Sequence, residues 1–251
     1  AAFPVQQHIP LVILFTRSRV TRHACGRKFE SFGLERTGEK VAFPFYLRIP
    51  SWTKGAEVRV NGKKVSVTPV AGKYLCINRE WANGDRVELT LPMSLSMRTW
   101  QVNKNSVSVD YGPLTLSLKI AEKYVEKDSR ETAIGDSKWQ KGADSKKWPT
   151  TEIYPDSPWN YSLVLDKREP LKNFKVIRKS WPADNYPFTA TSVPLEVKAI
   201  GRPVPEWKID ETGLCGVLPE EDAMKGDKEE ITLIPMGAAR LRISAFPNTK
   251  E

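Results

Sequence analysis

From Phe43 onward apolar residues return at every second position, a period that sends them to one face of a half-buried strand. Ala56, Val58 and Val60 alternate with Glu57 and Arg59, and Val87, Leu89 and Leu91 alternate with Arg86, Glu88 and Thr90. The same period recurs at Val107 and Val109, from Leu114 to Ile120, at Leu195-Val197-Ala199 and at Leu241-Ile243-Ala245. Nineteen prolines spread along the chain exclude long helices, because each removes a donor and clashes with the preceding turn. Short strands between turn signals predict an all-β protein of sandwich or open-barrel type.

Asn61-Gly62 supplies the two positive-φ residues of a type I′ turn, which makes 56–67 the best-specified hairpin. Asn83-Gly84-Asp85 marks a second reversal before the strand at 86–91. Within 251 residues there is room for two self-sufficient cores. The expected organisation is a first β-sandwich over 41–120, a charged linker or insertion over 121–147, and a second sandwich over 148–251. Gly112-Pro113 is read as interrupting the ladder near that boundary. The linker "AEKYVEKDSRETAIGDSKWQKGADSKK" carries no strand period and reads as a surface loop with one helical turn. Residues 1–40 show neither period, and that leader is expected to be poorly ordered or foreign to the fold. The first residue is Ala rather than Met, which leaves room for a longer parent.

The formal net charge of +9 raises the question of a nucleic-acid partner. Residues 1–40 hold seven Lys or Arg against three Glu, and the rest of the charge is interleaved with carboxylates. No basic stripe and no nucleic-acid motif emerges, so that class is set aside. Leu11-Val12-Ile13-Leu14-Phe15, the longest apolar run, is too short to span a bilayer, and no membrane partner is expected.

Catalytic material is sparse. Only His8 and His23 could serve a histidine-dependent triad, and both lie in the leader. His23-Ala24-Cys25 falls short of a zinc site, which needs three or four converging ligands. Cys76 and Cys215 sit among apolar residues and are expected to be buried, inert thiols. Asp110, Glu152, Asp156 and Asp210 are the candidates for a glycosidase carboxylate pair, although exposed or turn-forming roles suit them better. Trp159, Asn160, Tyr161 and Trp181 have the content of a sugar-stacking platform, with packing as the rival role.

Five ordered stretches carry a resemblance: "FPFYLRIPSWTKGAEVRVNGK", "GKYLCINREWANGDRVELTLPM", "VSVDYGPLTLSL", "SPWNYSLVL" and "ITLIPMGAARLRISAFP". In this order they resemble the C-terminal part of family 127 glycoside hydrolases, the β-L-arabinofuranosidases formerly grouped as DUF1680. The resemblance implies two jelly-roll-like β-sandwich domains packed behind an N-terminal catalytic (α/α) barrel, the first sandwich being incomplete here. The compartment is left open, a periplasmic or secreted parent being one option. In that family a cysteine nucleophile and a zinc ion are held by an E-x-C and a Cys-Cys motif, neither of which occurs in this sequence. Cys25, Cys76 and Cys215 match no ligand position, so no catalytic, metal or cofactor residue is carried over. The function implied is a non-catalytic part that braces the barrel, with arabinose-containing glycans as further partners. An independent carbohydrate-binding module and a structural or oligomerisation domain are the alternatives.

Arg48-Ile49-Pro50-Ser51-Trp52 then reads as scaffold. Pro50 ends a strand, Trp52 covers the sandwich end, and Arg48 is expected to meet a carboxylate or backbone carbonyls.

Overall fold

A computed structural model describes residues 19–22, 27–33, 40–132, 144, 146–211, 213–220 and 226–251. The chain is all-β and divides into two compact units, Ala1–Ser94 and Leu95–Glu251. Gly112-Pro113, expected to interrupt a ladder, does not: at φ 57 Gly112 starts a two-residue connection with Pro113, and Tyr111 pairs with Leu114 across it. Positive φ at the first central position is what a type II′ hairpin turn requires. The dipeptide continues the ladder instead of interrupting it.

In the first unit a five-stranded antiparallel sheet has the order β1 (Arg19–Arg22), β2 (Arg27–Gly33), β7 (Arg86–Pro92), β4 (Glu57–Val60) and β5 (Lys63–Lys64). Thus part of the leader is strand, paired to β7 from Arg27↔Pro92 to Gly33↔Arg86. The remainder of the leader, with His8, His23 and Cys25, lies outside the described residues. A second sheet pairs β3 (Val41–Arg48) with β6 (Tyr74–Trp81). Leu47, Ile49, Val58, Leu75, Trp81, Val87, Leu89 and Leu91 form the core of this unit. Burying each such aliphatic side chain contributes roughly 1.5–3 kcal/mol before conformational entropy is charged against it. Trp81 is oriented as well as buried: its indole Nε1 donates to the Phe43 carbonyl at 3.0 Å.

The run that follows β3 is scaffold. Ile49 is fully buried, its amide donates to the Lys73 carbonyl at 2.9 Å, and half-buried Trp52 packs on the core. Thr53 fixes the turn by donating from Oγ1 to the Pro92 carbonyl at 3.1 Å. Arg48 departs from expectation. Its guanidinium sits 5.8 Å from the centroid of the Tyr74 ring, and among the described residues no carboxylate pairs with it. Register is the cause: Tyr74 stands directly opposite Arg48 in the ladder, and a cation gains from an aromatic face at that distance.

In the second unit an eight-stranded sheet runs β17 (Asn248–Lys250), β13 (Tyr161–Leu165), β15 (Leu195–Pro203), β16 (Glu229–Pro235), β10 (Leu114–Leu118), β9 (Ser106–Tyr111) and β8 (Leu95–Trp100). The eighth strand, β14 (Lys175–Arg178), shares β15 with β13, taking Leu195 to Lys198 while β13 takes Gly201 to Pro203. β9 is buried along its whole length, including Ser106, Ser108 and Asp110. Ser108 Oγ donates to the Ser244 carbonyl at 2.7 Å and accepts from Trp100 Nε1 at 2.8 Å, which is how a polar position tolerates burial.

Two expectations change here. Residues 122–127, expected as loop, form β11 (Glu122–Lys127), paired in full with β12 (Thr150–Pro155). Both faces of that ribbon carry exposed side chains, so no apolar alternation marks it. Only α1 (Ser129–Thr132), a single turn, follows it among the described residues. Conversely 241–245 alternates but is no strand. The Ile243 carbonyl accepts from the Leu118 amide at 2.9 Å and Ser117 Oγ at 3.1 Å, so the segment is tied to β10 without a ladder. No described helix is long and apolar enough to cross a membrane.

Candidate functional site

Trp159, Asn160 and Tyr161 lie where the chain enters β13. Trp159 is half-buried, with its ring edge-on to Trp207 at 5.2 Å between centroids. Trp207 is itself buried, and its Nε1 donates to the Gly216 carbonyl at 2.9 Å. Asn160 Nδ2 donates to the carbonyls of Val204 (2.9 Å) and Trp207 (3.1 Å), while its own carbonyl accepts from the Val204 amide at 2.8 Å. That amide is committed to holding the 204–207 turn. Tyr161 is buried, and its phenol is pushed up to about 12, first by burial and then by its hydrogen bond with Glu229. A phenol in that state stays neutral through the physiological range.

Trp181 belongs to the loop after β14. It is 37% exposed, and its Nε1 donates to Asn185 Oδ1 at 2.9 Å. The same loop displays Tyr186 and Phe188, in edge contact at 5.4 Å. It is fastened from within: the Tyr186 amide donates to Asp184 Oδ1 at 3.0 Å and Ser192 Oγ donates to the Tyr186 carbonyl at 2.8 Å. Phe188, which the aromatic content did not single out, shares this exposed loop, where Asn185 turns the chain at φ +57.

Three of the four candidate carboxylates, Asp110, Glu152 and Asp210, are held in framework contacts. Asp110 receives Arg98 through two bonds, 2.6 and 3.0 Å, and Thr115 Oγ1 at 2.7 Å. Arg98 in turn lies 5.1 Å from the centroid of Trp100. Glu152 accepts from Tyr154 and pairs with Lys127 at 2.5 Å, and these bonds, Lys127 foremost, hold its carboxyl below the usual range. Asp156 is exposed, its amide donating to the Ala121 carbonyl at 2.7 Å, and Asp210 Oδ1 accepts from the Leu214 amide at 3.0 Å.

Asp85 and Glu196 are, with Asp110, the buried carboxylates among the described residues. Burial pushes each upward, but partners outweigh it: the Ala82 amide, Asn61 and Arg79 for Asp85, and Lys119 and Lys179 for Glu196. Both are held below the usual carboxylate range. A general acid for glycoside hydrolysis needs the opposite shift, so these two are framework anions.

Of the thiols, Cys76 is half-buried, whereas Cys215 is exposed, contrary to expectation. Cys215 forms the isolated bridge with Ile209 that closes a surface turn, which is why apolar neighbours in sequence do not cover it. On the outer face of the β3–β6 pair, Cys76 stands directly opposite Tyr46 and raises its phenol pKa through a hydrogen bond. Among the described residues no three His, Cys, Asp or Glu side chains gather as a metal site would need.

Residues 2–93 match the family model described as the β-L-arabinofuranosidase GH127 middle domain. Three solved structures share the fold. A glycoside hydrolase aligns with a TM-score of 0.52 at 20% identity, covering 88% of this chain and 30% of its own. A GH127 β-L-arabinofuranosidase from Geobacillus stearothermophilus T6 aligns with a TM-score of 0.50 at 20% identity, covering 89% and 29%. The GH127 β-arabinofuranosidase BT3674 aligns with a TM-score of 0.50 at 20% identity, covering 88% and 30%. The chain thus spans less than a third of the length of each solved chain. No curated protein matches it. Residues 2–93 are thus similar to a glycoside hydrolase family 127 middle domain, and the chain shares its all-β fold with these three structures.

Proposed function

We propose that this chain is the non-catalytic β-sandwich part of a β-L-arabinofuranosidase-like glycoside hydrolase, and that it braces a catalytic (α/α) barrel. The match of residues 2–93 to a middle domain carries the reading, because a middle domain has neighbours on both sides. The carboxylate chemistry agrees with it: Asp85, Glu152 and Glu196 are all drawn below the usual range by donors, as ion-paired framework groups are. Zinc and the nucleophile belong to the barrel in this reading, and this chain supplies surface and rigidity.

The exposed loop with Trp181, Tyr186 and Phe188 favours a second reading, a carbohydrate-binding module, since flat rings on a fastened loop suit the C–H face of a sugar. In that reading Trp181 makes the contact, and Trp159 and Asn160 hold the 204–207 turn. Affinity electrophoresis of the purified chain through arabinan separates the two. Unretarded migration supports the bracing part, and retardation abolished by Trp181→Ala establishes the module.

A further inference from the structure

β6 is paired on one side only: among the described residues its sheet contains β3 and no other strand. The ladder shows which of its backbone groups are left over. The Ile49 amide donates to the Lys73 carbonyl at 2.9 Å, one step beyond the Arg48↔Tyr74 pair. Bonded and non-bonded pairs alternate along an antiparallel ladder. Leu75, Ile77 and Arg79 therefore turn their N–H and C=O groups to β3, and Tyr74, Cys76, Asn78 and Glu80 turn theirs outward. Pro44, opposite Asn78, agrees with that phase, because a proline fits in a strand where its missing N–H would face away from the ladder. Pro44 also blunts the free edge of β3, whereas the edge of β6 keeps all of its donors. That edge opens on a cleft of about 300 Å³, lined by residues 76–79 and, across it, by 63–67, so its own chain leaves room beside it.

The same residues share the outer face of the sheet. Ala42, Pro44, Tyr46 and Arg48 alternate with the core-facing side chains of β3, as Tyr74, Cys76, Asn78 and Glu80 do with those of β6. All of them are exposed except half-buried Cys76. Two charges on this face lack a counter-ion among the described residues: Arg48 lies over the Tyr74 ring, and the Glu80 carboxylate has no ion pair. They cannot meet within one chain. Arg48 stands opposite Tyr74 and Glu80 opposite Ala42, at the two ends of the ladder, about 20 Å apart at the rise of a strand.

We propose that two copies of this chain pair edge to edge through β6, antiparallel, about a two-fold axis at Ile77. Within β6 only that register gives every outward residue a partner: Tyr74 faces the partner's Glu80, and Cys76 faces the partner's Asn78. β3, β6 and their copies then form one continuous sheet. On its outer face the partner's Glu80 lies beside Tyr74, and Arg48, already leaning over that ring, reaches its carboxylate. The axis makes this contact twice. No like charges face one another, since Ile77 meets its own copy and Arg79 faces the partner's Leu75. An unpaired cation and an unpaired carboxylate that meet only across a two-fold axis select a second copy over an unrelated strand. The interface lies within the first unit and does not depend on the bracing role.

The test is sedimentation equilibrium of the whole chain, which is expected to show a monomer–dimer equilibrium. Glu80→Arg and Arg48→Glu each set like charges against one another at both contacts and are expected to weaken the dimer by about tenfold. The double variant Arg48→Glu, Glu80→Arg exchanges the charges and is expected to recover the dimer. Both side chains are exposed, so none of these variants should change the circular dichroism spectrum of the chain. Asn78→Pro removes an outward donor while sparing the bonds to β3, and is expected to leave a monomer. If that variant fails to fold, the charge exchange decides alone. A chain that stays monomeric up to about 1 mM overturns the proposal. So does a dimer that neither single charge reversal weakens, or a double variant no tighter than the single ones.

Discussion

Asn61 and Asp85 join the two turns of the first sandwich side chain to side chain. Asn61 Nδ2 donates to Asp85 Oδ1 at 2.7 Å, and Asn61 Oδ1 accepts from the Arg86 amide at 2.8 Å. Asp85 Oδ2 then accepts from the Ala82 amide at 2.9 Å. One buried carboxylate thus closes its own turn and pins the hairpin that carries Lys63 and Lys64. Asp85→Ala leaves two donors without their acceptor and is expected to cost about 2–3 kcal/mol. Urea denaturation checks this; a loss under about 0.5 kcal/mol, the scale of a neutral surface change, contradicts the linkage.

The same carboxylate sets a pH dependence. Because the folded pKa of Asp85 and of Glu196 is depressed, the unfolded chain binds more protons in the acid range. Their stabilisation is complete above the unfolded values, about 4, and is lost as pH falls through the folded ones. The urea midpoint is expected to fall below about pH 5 and to fall less steeply in the double variant Asp85→Asn, Glu196→Gln. An identical acid slope in that variant contradicts the assignment.

Gly62 follows Asn61 with φ +77, after +50 at Asn61, so both central residues have the positive φ of the primed turn. Open space surrounds its Cβ position, and only backbone conformation opposes substitution. Gly62→Val is expected to cost on the order of 1 kcal/mol or more, since a β-branched residue is poorly tolerated there. Unchanged thermal stability contradicts the turn.

Gly201 is constrained by space instead. A Cβ there would meet Ile231 Cδ1 and Cγ2 at 2.9 Å and Tyr161 Cδ1 at 3.2 Å. Gly201→Ala therefore overpacks the β13–β15–β16 junction, by about 1–3 kcal/mol. The paired change Gly201→Ala, Ile231→Val should recover part of that loss in calorimetry; a more stable single variant sinks the packing account.

What was legible in the sequence followed from one-sided burial. The strand at 86–91 buries Val87, Leu89 and Leu91 and leaves its other face more open, so period two reports it, as Asn61-Gly62 reports its turn. Strands without that asymmetry were hidden: β11 and β12 carry exposed side chains on both faces. Residues 1–40 showed no period, yet β2 within them is a full partner of β7. Its Arg27-Lys28-Phe29-Glu30-Ser31-Phe32 spaces two aromatics three apart, which strand alternation does not predict.

The central claim is that this chain supports catalysis without performing it. Retaining hydrolysis needs a nucleophile and an acid/base on opposite sides of the anomeric carbon. Asp85, Glu152 and Glu196 are drawn towards the ionised state, and Cys76 and Cys215 lie in separate units. The direct measurement is the initial rate of aryl β-L-arabinofuranoside hydrolysis by the purified chain, with and without added zinc. The account predicts no release above the protein-free rate in either case. Zinc-dependent release that disappears on Cys76→Ser or Cys215→Ser would make this chain an enzyme and contradict it.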